Sequence, residues 1–219
     1  MSKEIDLLKN YPKSKRKIFE RLSSKTEEDR KIARKFDKDF FDGERKHGYG
    51  GFVYDEKYWK NVVVDFKKYW KLNSSSSVLD VGCAKGFMLY DLSKLIPKIK
   101  LRGIDISNYA IKNSIPEVRK YLQVADAKKL PFDDNSFDVV VAINTIHNLD
   151  FNDCSLALRE ISRVSKKYSF ITVDAYRNEN EKKRMLAWNL TAKTIMSVDE
   201  WKIFFKDNKY TGDYFWFIP

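Results

Sequence analysis

A chain of 219 residues with 43% hydrophobic and 15% aromatic content is long and apolar enough to bury one substantial core, which excludes wholesale disorder. Its two cysteines, Cys83 and Cys154, exclude a disulfide-built scaffold, and no apolar stretch approaches the roughly 20 residues of a membrane-spanning helix. With 42 basic residues against 31 acidic ones, the net charge of +11 leaves an anionic partner open.

The first residues, Met-Ser-Lys-Glu-Ile-Asp, lack the apolar core of a secretory signal, so a reducing cytoplasm is the expected compartment. From Lys9 to Lys25 seven basic residues stand against one acid, Glu20. This arm is expected to form one or two loose helical turns. It reads either as a solvated arm or as an RNA contact. With only Tyr11 and Phe19 among the charges, it has few rings on which bases stack.

Thr26 followed by Glu27, Glu28 and Asp29 predicts a helix start, with Ile32, Phe36 and Phe40 on its apolar face and an end near Gly43. Asp42–Asp55 holds four glycines and two tyrosines and reads as a loop. Asp55 caps the next expected helix, where Trp59, Val62, Val63, Phe66 and Trp70 recur at core-facing spacing. A polar turn, Asn73–Ser77, leads onward. The chain thus divides into a basic helical extension over residues 1–55 and a main domain over 56–219.

Val78–Val81 is a short apolar run holding one acid, Asp80. Gly82 and Gly86 follow, and a helical pattern with Met88, Leu92, Leu95 and Ile96 runs to Pro97. Strand, glycine turn and helix start together make a ligand cradle, because glycine allows positive φ and the helix N-terminus offers unpaired N–H groups. A dinucleotide site would need Gly-x-Gly-x-x-Gly, and this chain has Gly82-x-x-x-Gly86. Asp80-x-Gly82-x-Ala84-x-Gly86 resembles the first motif of the class I S-adenosylmethionine-dependent methyltransferases. That family usually carries glycine where Ala84 stands.

The resemblance continues in order. Leu101–Asp105 predicts a second strand ending in an acid 23 residues after Gly82, where a carboxylate presents two acceptors to a ribose. Tyr121–Asp126 predicts a third strand. The stretch Leu130-Pro131-Phe132 … Ser136-Phe137-Asp138 is similar to the small-molecule group that includes ubiquinone-biosynthesis methyltransferases. It leads into a fourth strand, Phe137–Ile143. The likeness spans about Val78 to Val173. It implies S-adenosylmethionine as cofactor, held by Asp80, Gly82, Ala84, Gly86, Asp105, Ile106, Asp126, Ala127 and Asn144. It implies no metal. It also implies a doubly wound, mostly parallel α/β sheet of order 3-2-1-4-5 plus a terminal strand, with helices on both faces. In similar enzymes the segment before the first strand lids the site, which would turn Arg45, Lys46, His47 and Tyr49 toward the pocket.

Ligands bind outside the carboxyl ends of strands in such sheets, so Asn144–Leu149 is placed at the chamber floor. His147 is either a general base or a packing residue of the turn. Asp153 is expected to cap the next helix, and Tyr168–Val173 to form the fifth strand. Tyr176 and Arg177 beyond it are assigned to the acceptor, Arg177 either holding an anion or pairing on the surface. Asn178-x-x-Glu181 and Ser197-x-x-Glu200 start two more helices. Tyr210–Pro219 reads as one last strand. The family normally adds two, the last antiparallel, and Leu190–Ile195 is the only other candidate. Methyl transfer to an O or N nucleophile of a small anionic metabolite is the expected function. An RNA methyltransferase using the basic arm and a non-catalytic cofactor-binding protein are the alternatives.

Overall fold

The computed structural model describes residues 2–13 and 25–219. Much of the basic arm, with its expected helical turns, lies outside the described residues. Thr26 and Asp29 form a reciprocal capping box at the start of α1 (Glu27–Ala33). The single helix expected as far as Gly43 is instead two. The chain turns at Phe36, with φ of 50°, and restarts at Asp37, whose side chain accepts the Lys38 N–H to open α2 (Lys38–Phe41). An aspartate that bonds nearby backbone competes with helix continuation.

After α3 (Glu56–Trp70), capped by Asp55, the sheet begins. Its strands are β1 (Ser77–Val81), β2 (Lys100–Asp105), β3 (Leu122–Val124), β4 (Phe137–Ile143) and β5 (Ser165–Tyr176), with β6 (Met196–Ser197) and β7 (Asp213–Phe217) added at one side. Between them run α4 (Phe87–Leu95), α5 (Asn108–Lys112), α6 (Pro116–Arg119), a 3₁₀ turn (Ile146–Asn148), α7 (Phe151–Val164), α8 (Glu179–Trp188) and α9 (Val198–Asp207). The order is β3-β2-β1-β4-β5, with β6 and β7 both on β5. Val78 pairs with Leu101 on one side and Val139 on the other, so β1 is central. That explains its apolar run, because a parallel strand in mid-sheet is covered on both faces.

Alternation along the strands sorts side chains between two cores. Leu79, Val81, Val140, Ala142, Ile171 and Val173 pack under α7 and α9 with Leu158, Ile161 and Trp201. Val78, Val139, Val141 and Phe170 pack under α3 and α4 with Val62, Phe66 and Leu92.

The terminal strand expected beyond the 3-2-1-4-5 order is present on β5, and it differs from the resembling family's usual last strand in direction. β7 runs parallel to β5, Phe170 pairing with Asp213 through Asp174 with Phe217. Each connection beyond β5 contains a helix, and a helical crossover returns the chain to start its next strand in the same direction. The second late strand is Met196–Ser197 and not Leu190–Ile195. The latter segment instead gives the N–H groups of Lys193 and Thr194 to the carbonyl of His147. The N-cap of α7 is Asp150, one turn before Asp153. Near the amino end, Ile5 N–H bonds to Tyr214 O and Tyr214 N–H to Lys3 O, so residues 3–5 lie alongside β7.

Candidate active site

The glycine turn needs its glycines for stated reasons. Gly82 has φ +84°, and a Cβ there would sit 2.2 Å from Thr145 Oγ1. Gly86 has φ +79°, and a Cβ would meet Leu122 Cδ1 at 2.8 Å. Ala84 holds φ of 48°, a left-handed conformation that costs an L-residue about 1–2 kcal/mol. Its N–H donates to Asp105 Oδ2 at 2.8 Å, and Ser107 N–H donates to Oδ1 at 2.8 Å. Asp105 thus ties the loop after β1 to the loop after β2. Each carboxylate oxygen retains a further lone pair for a ligand hydroxyl.

Asp80 is buried at 6% exposure, and among the described residues no donor reaches its carboxylate. Burial, with the Asp105 charge adding to it, pushes its pKa from the ordinary 3.8 up to about 8. Burial raises Asp105 as well, against the two backbone donors that lower it. An orphaned acid beside a second acid calls for a cation with N–H donors. The ammonium of S-adenosylmethionine is such a group, so these residues fit the cofactor. Beyond Asp105, Ile106 is 57% exposed. It lines a cleft of about 430 Å³ whose walls are Lys35, Phe36 and Asp37 on one side and residues 106–109 with Lys112 on the other. Asp126 stands half-buried at the end of β3, accepting the Lys128 N–H at 2.9 Å, with Ala127 buried beside it.

On the other side of the sheet, Asn144 follows β4 with φ of 52° and is exposed; its Oδ1 accepts the Thr172 hydroxyl at 2.8 Å. His147 is 4% exposed in the 3₁₀ turn. Its Nδ1 accepts the backbone N–H of Asp174 at 2.9 Å. The neutral ring therefore carries its proton on Nε2, which lies 3.8 Å from Asp174 Oδ1. Burial depresses the His147 pKa, the Asp174 charge partly opposing it. With Nδ1 engaged and Nε2 protonated, the ring has no lone pair left to take a proton. This hydrogen bonding does not fit the general-base role expected of it.

Asp174 is the residue that sequence reading passed over. It ends the run Phe170-Ile-Thr-Val-Asp174, the same apolar-strand-then-acid pattern that singled out Asp105. It is 7% exposed, and among the described residues only His147 faces its carboxylate. Burial raises its pKa. Asp80 pairs with Val141 and Val141 with Phe170, so Asp174 lies two strands across and four residues further along, about 16 Å from Asp80.

The three acceptor-side residues, Arg177, Tyr176 and Tyr49, each have partners of their own. Arg177 forms a two-pronged pair with Glu181, Nε to Oε2 at 3.1 Å and NH2 to Oε1 at 2.9 Å, on the exposed first turn of α8. Glu181, expected to complete a capping box with Asn178, instead turns its carboxylate to Arg177, accepting that residue's backbone N–H as well. Tyr176 bonds toward Glu200 and carries Lys182 over its ring at 5.4 Å. Tyr49 packs on Phe40, Phe41 and Phe52 near α5, on the β2 side. Of the other loop residues, His47 pairs with Asp29 at 3.0 Å, Lys46 with Glu44, and Arg45 bonds to the carbonyls of Gly48 and Tyr49.

A central glycine turn, a donorless acid in β1 and an acid closing β2, set in a sheet of this order, are the features of the class I S-adenosylmethionine-dependent methyltransferase fold. A family model described as a methyltransferase domain matches residues 72–209, more than half of the chain, and the protein belongs to that family. Among curated relatives, the chain is 37% identical over 89 residues to an arginine-hydroxylase, NDUFAF5, of Rattus norvegicus, covering 40% of this chain and 25% of that protein. It is 29% identical over 116 residues to the malonyl-[acyl-carrier protein] O-methyltransferase of Legionella pneumophila, covering 51% and 40%. The chain thus spans well under half the length of these relatives. Among solved structures, a SAM-dependent methyltransferase from Aquifex aeolicus superposes with a TM-score of 0.51 at 24% identity, over 67% of this chain and 78% of that one, and shows the shared fold. Among the described residues no helix is long and apolar enough to cross a membrane, and no group of three or more metal-ligating side chains occurs.

Proposed function

We propose that the chain methylates an O–H or N–H nucleophile of a small molecule, with residues 56–219 as the catalytic domain and the glycine-rich segment 42–55 as its cover. Bound S-adenosylmethionine supplies an electrophilic methyl carbon on a sulfonium. Asp80 receives its ammonium, Asp105 its ribose hydroxyls, and Asp126 with Ala127 the adenine edge. Gly82, Ala84 and Gly86 hold the backbone against it, and Ile106 and Asn144 flank it.

The observation that carries the acceptor side is the Asp174 carboxylate, buried without a donor beside a histidine fixed as a donor. A methyl sulfonium needs little activation, so a base matters only where the nucleophile still holds a proton. Asp174 takes that proton at a carboxylate oxygen, and its raised pKa strengthens it as a base. His147 holds Asp174 in place through the bond its Nδ1 accepts from the Asp174 backbone N–H, with its protonated Nε2 set 3.8 Å from the carboxylate. Tyr176 lies at the rim. Arg177, already neutralised by Glu181, gives no support to an anionic acceptor, and the acid at the floor favours a hydroxyl or an amine.

The test is a screen of small hydroxyl- and amine-bearing compounds, following release of S-adenosylhomocysteine. Turnover by the wild type that Asp174→Asn abolishes would support this reading. Turnover with RNA alone would replace the small molecule with the nucleic acid.

A further inference from the structure

The loop between Ala84 and Gly86 holds a residue that none of the cofactor assignments uses. Lys85 is buried at 6% exposure. Its Nζ donates to Asp42 Oδ2 at 2.6 Å and to the carbonyl of Phe52 at 2.8 Å. The ammonium also lies 6.0 Å from the Phe52 ring centroid and 5.8 Å from that of Tyr109. Asp42 is as fully engaged from its side. Its Oδ2 accepts the Tyr109 hydroxyl at 2.7 Å, and its Oδ1 accepts the Phe52 N–H at 2.8 Å.

These contacts join three parts of the chain. Lys85 belongs to the loop after β1, Tyr109 to α5 after β2, and Asp42 and Phe52 to the segment before α3. The first two are the loops that Asp105 ties together through Ala84 and Ser107. The third is closed over them by rings, Phe52 stacking on Phe87 at 4.7 Å and Tyr49 on Phe52 at 4.2 Å. If residues 42–54 lift, Lys85 and Asp42 lose each other and the aromatic cluster meets water. Intermediate positions leave a buried charge unpaired, which favours two discrete states.

We propose that Lys85 and Asp42 form a clasp through which the cofactor loop and residues 42–54 close together, making Lys85 a positioning residue for cofactor binding although it is not a cofactor ligand. The proposal rests on the cofactor site described above. Linkage makes the coupling reciprocal: if the clasp tightens the site, the cofactor tightens the clasp.

The experiment measures amide hydrogen exchange and calorimetric affinity with S-adenosylhomocysteine, which needs no methyl acceptor. In the wild type, the ligand should slow exchange over residues 42–54. Lys85→Met and Asp42→Asn should each speed that exchange in the ligand-free protein and weaken binding about tenfold. Exchange in β1, β4 and β5 should stay unchanged, and Lys85→Arg should restore most of the affinity. Faster exchange of 42–54 with affinity within about twofold of wild type would reduce the pair to a local prop and overturn the proposal. So would a wild-type segment whose exchange ignores the ligand. Should Lys85→Met fail to fold, Asp42→Asn, which keeps an acceptor for the Phe52 N–H, decides the matter. A wild type that binds no S-adenosylhomocysteine would defeat the cofactor site itself, a separate result.

Discussion

Asp174 meets His147 twice, giving its backbone N–H to Nδ1 at 2.9 Å and setting its carboxylate 3.8 Å from Nε2. One residue fixes the other's tautomer and then faces the proton that this tautomer exposes. Asp174→Asn should therefore lower kcat by about 10²–10⁴-fold with an identified acceptor, while S-adenosylhomocysteine affinity stays within about twofold. His147→Asn, whose amide oxygen can take over the Asp174 N–H, should cost no more than about tenfold in kcat. Steady-state kinetics on both variants check this. A larger loss in the histidine variant would return the base role to His147.

Asp80 makes the cofactor-free protein sensitive to pH. Its folded pKa of about 8 lies above the 3.8 of an ordinary carboxyl, so between these values the folded state holds a proton that the unfolded chain has released. Its share of stability is whole below about pH 4 and is lost as pH rises toward 8. Denaturant midpoints at pH 5 and pH 8 should move apart more in the wild type than in Asp80→Asn. Binding an ammonium requires the ionised acid, so calorimetry at pH 7 in buffers of different ionisation enthalpy should detect proton release on cofactor binding. Asp80→Asn should abolish that release and weaken binding by about 1.5–3 kcal/mol, the scale of hydrogen bonds to charged groups.

The glycine turn contains one residue at odds with its backbone. Ala84→Gly removes the left-handed penalty but adds freedom to the unfolded chain, and the net should be a gain of up to about 1 kcal/mol in unfolding free energy. Gly82→Ala should instead destabilise by about 2 kcal/mol or more, since its new methyl lands on Thr145. Chemical denaturation of the two variants gives opposite signs if the turn is as described.

Arg177→Ala should barely matter. In its pair with Glu181, 63% of the arginine side chain is open to water, and ion pairs at the surface contribute about 0–1 kcal/mol. Neither KM nor kcat should change by more than about twofold. A KM rise of tenfold or more would restore Arg177 to the acceptor site.

What could be read from the residues was what local pattern encodes. Val78–Val81 could be read as a strand because an apolar run this short, closed by a glycine, suits a parallel strand covered on both faces. Asp80, Asp105 and Asp126 stood out because each lies in or just after an apolar strand, at the spacing of the resembling family's motifs. Arg177 stayed open between an anion site and a surface pair because its partner, Glu181, reads as part of a helix cap, whereas its carboxylate is held by Arg177. His147 was legible as a residue of the turn after β4 but not as a donor, since its tautomer is set by a backbone N–H 27 residues away. The clasp was invisible for the same reason: Lys85 and Asp42 are 43 residues apart, and nothing local to either marks the other. The parallel course of β7 depended on how α9 packs, which the aromatic run of the strand does not encode.

Residues 3–5 lie along β7, with the Lys3 N–H reaching Asp213 Oδ1 at 2.9 Å and Lys202 reaching Glu4 at 3.3 Å. They occupy the side of β7 turned away from β5. That strand is Asp-Tyr-Phe-Trp-Phe, as sticky a row as the molecule owns, and its outer backbone groups would otherwise be an open template for another chain. A short N-terminal stretch thus acts as a guard on solubility. A truncation or fusion that dislodges it would leave the cofactor site intact and still drive copies together edge to edge, seen as concentration-dependent growth in light scattering with unchanged S-adenosylhomocysteine affinity.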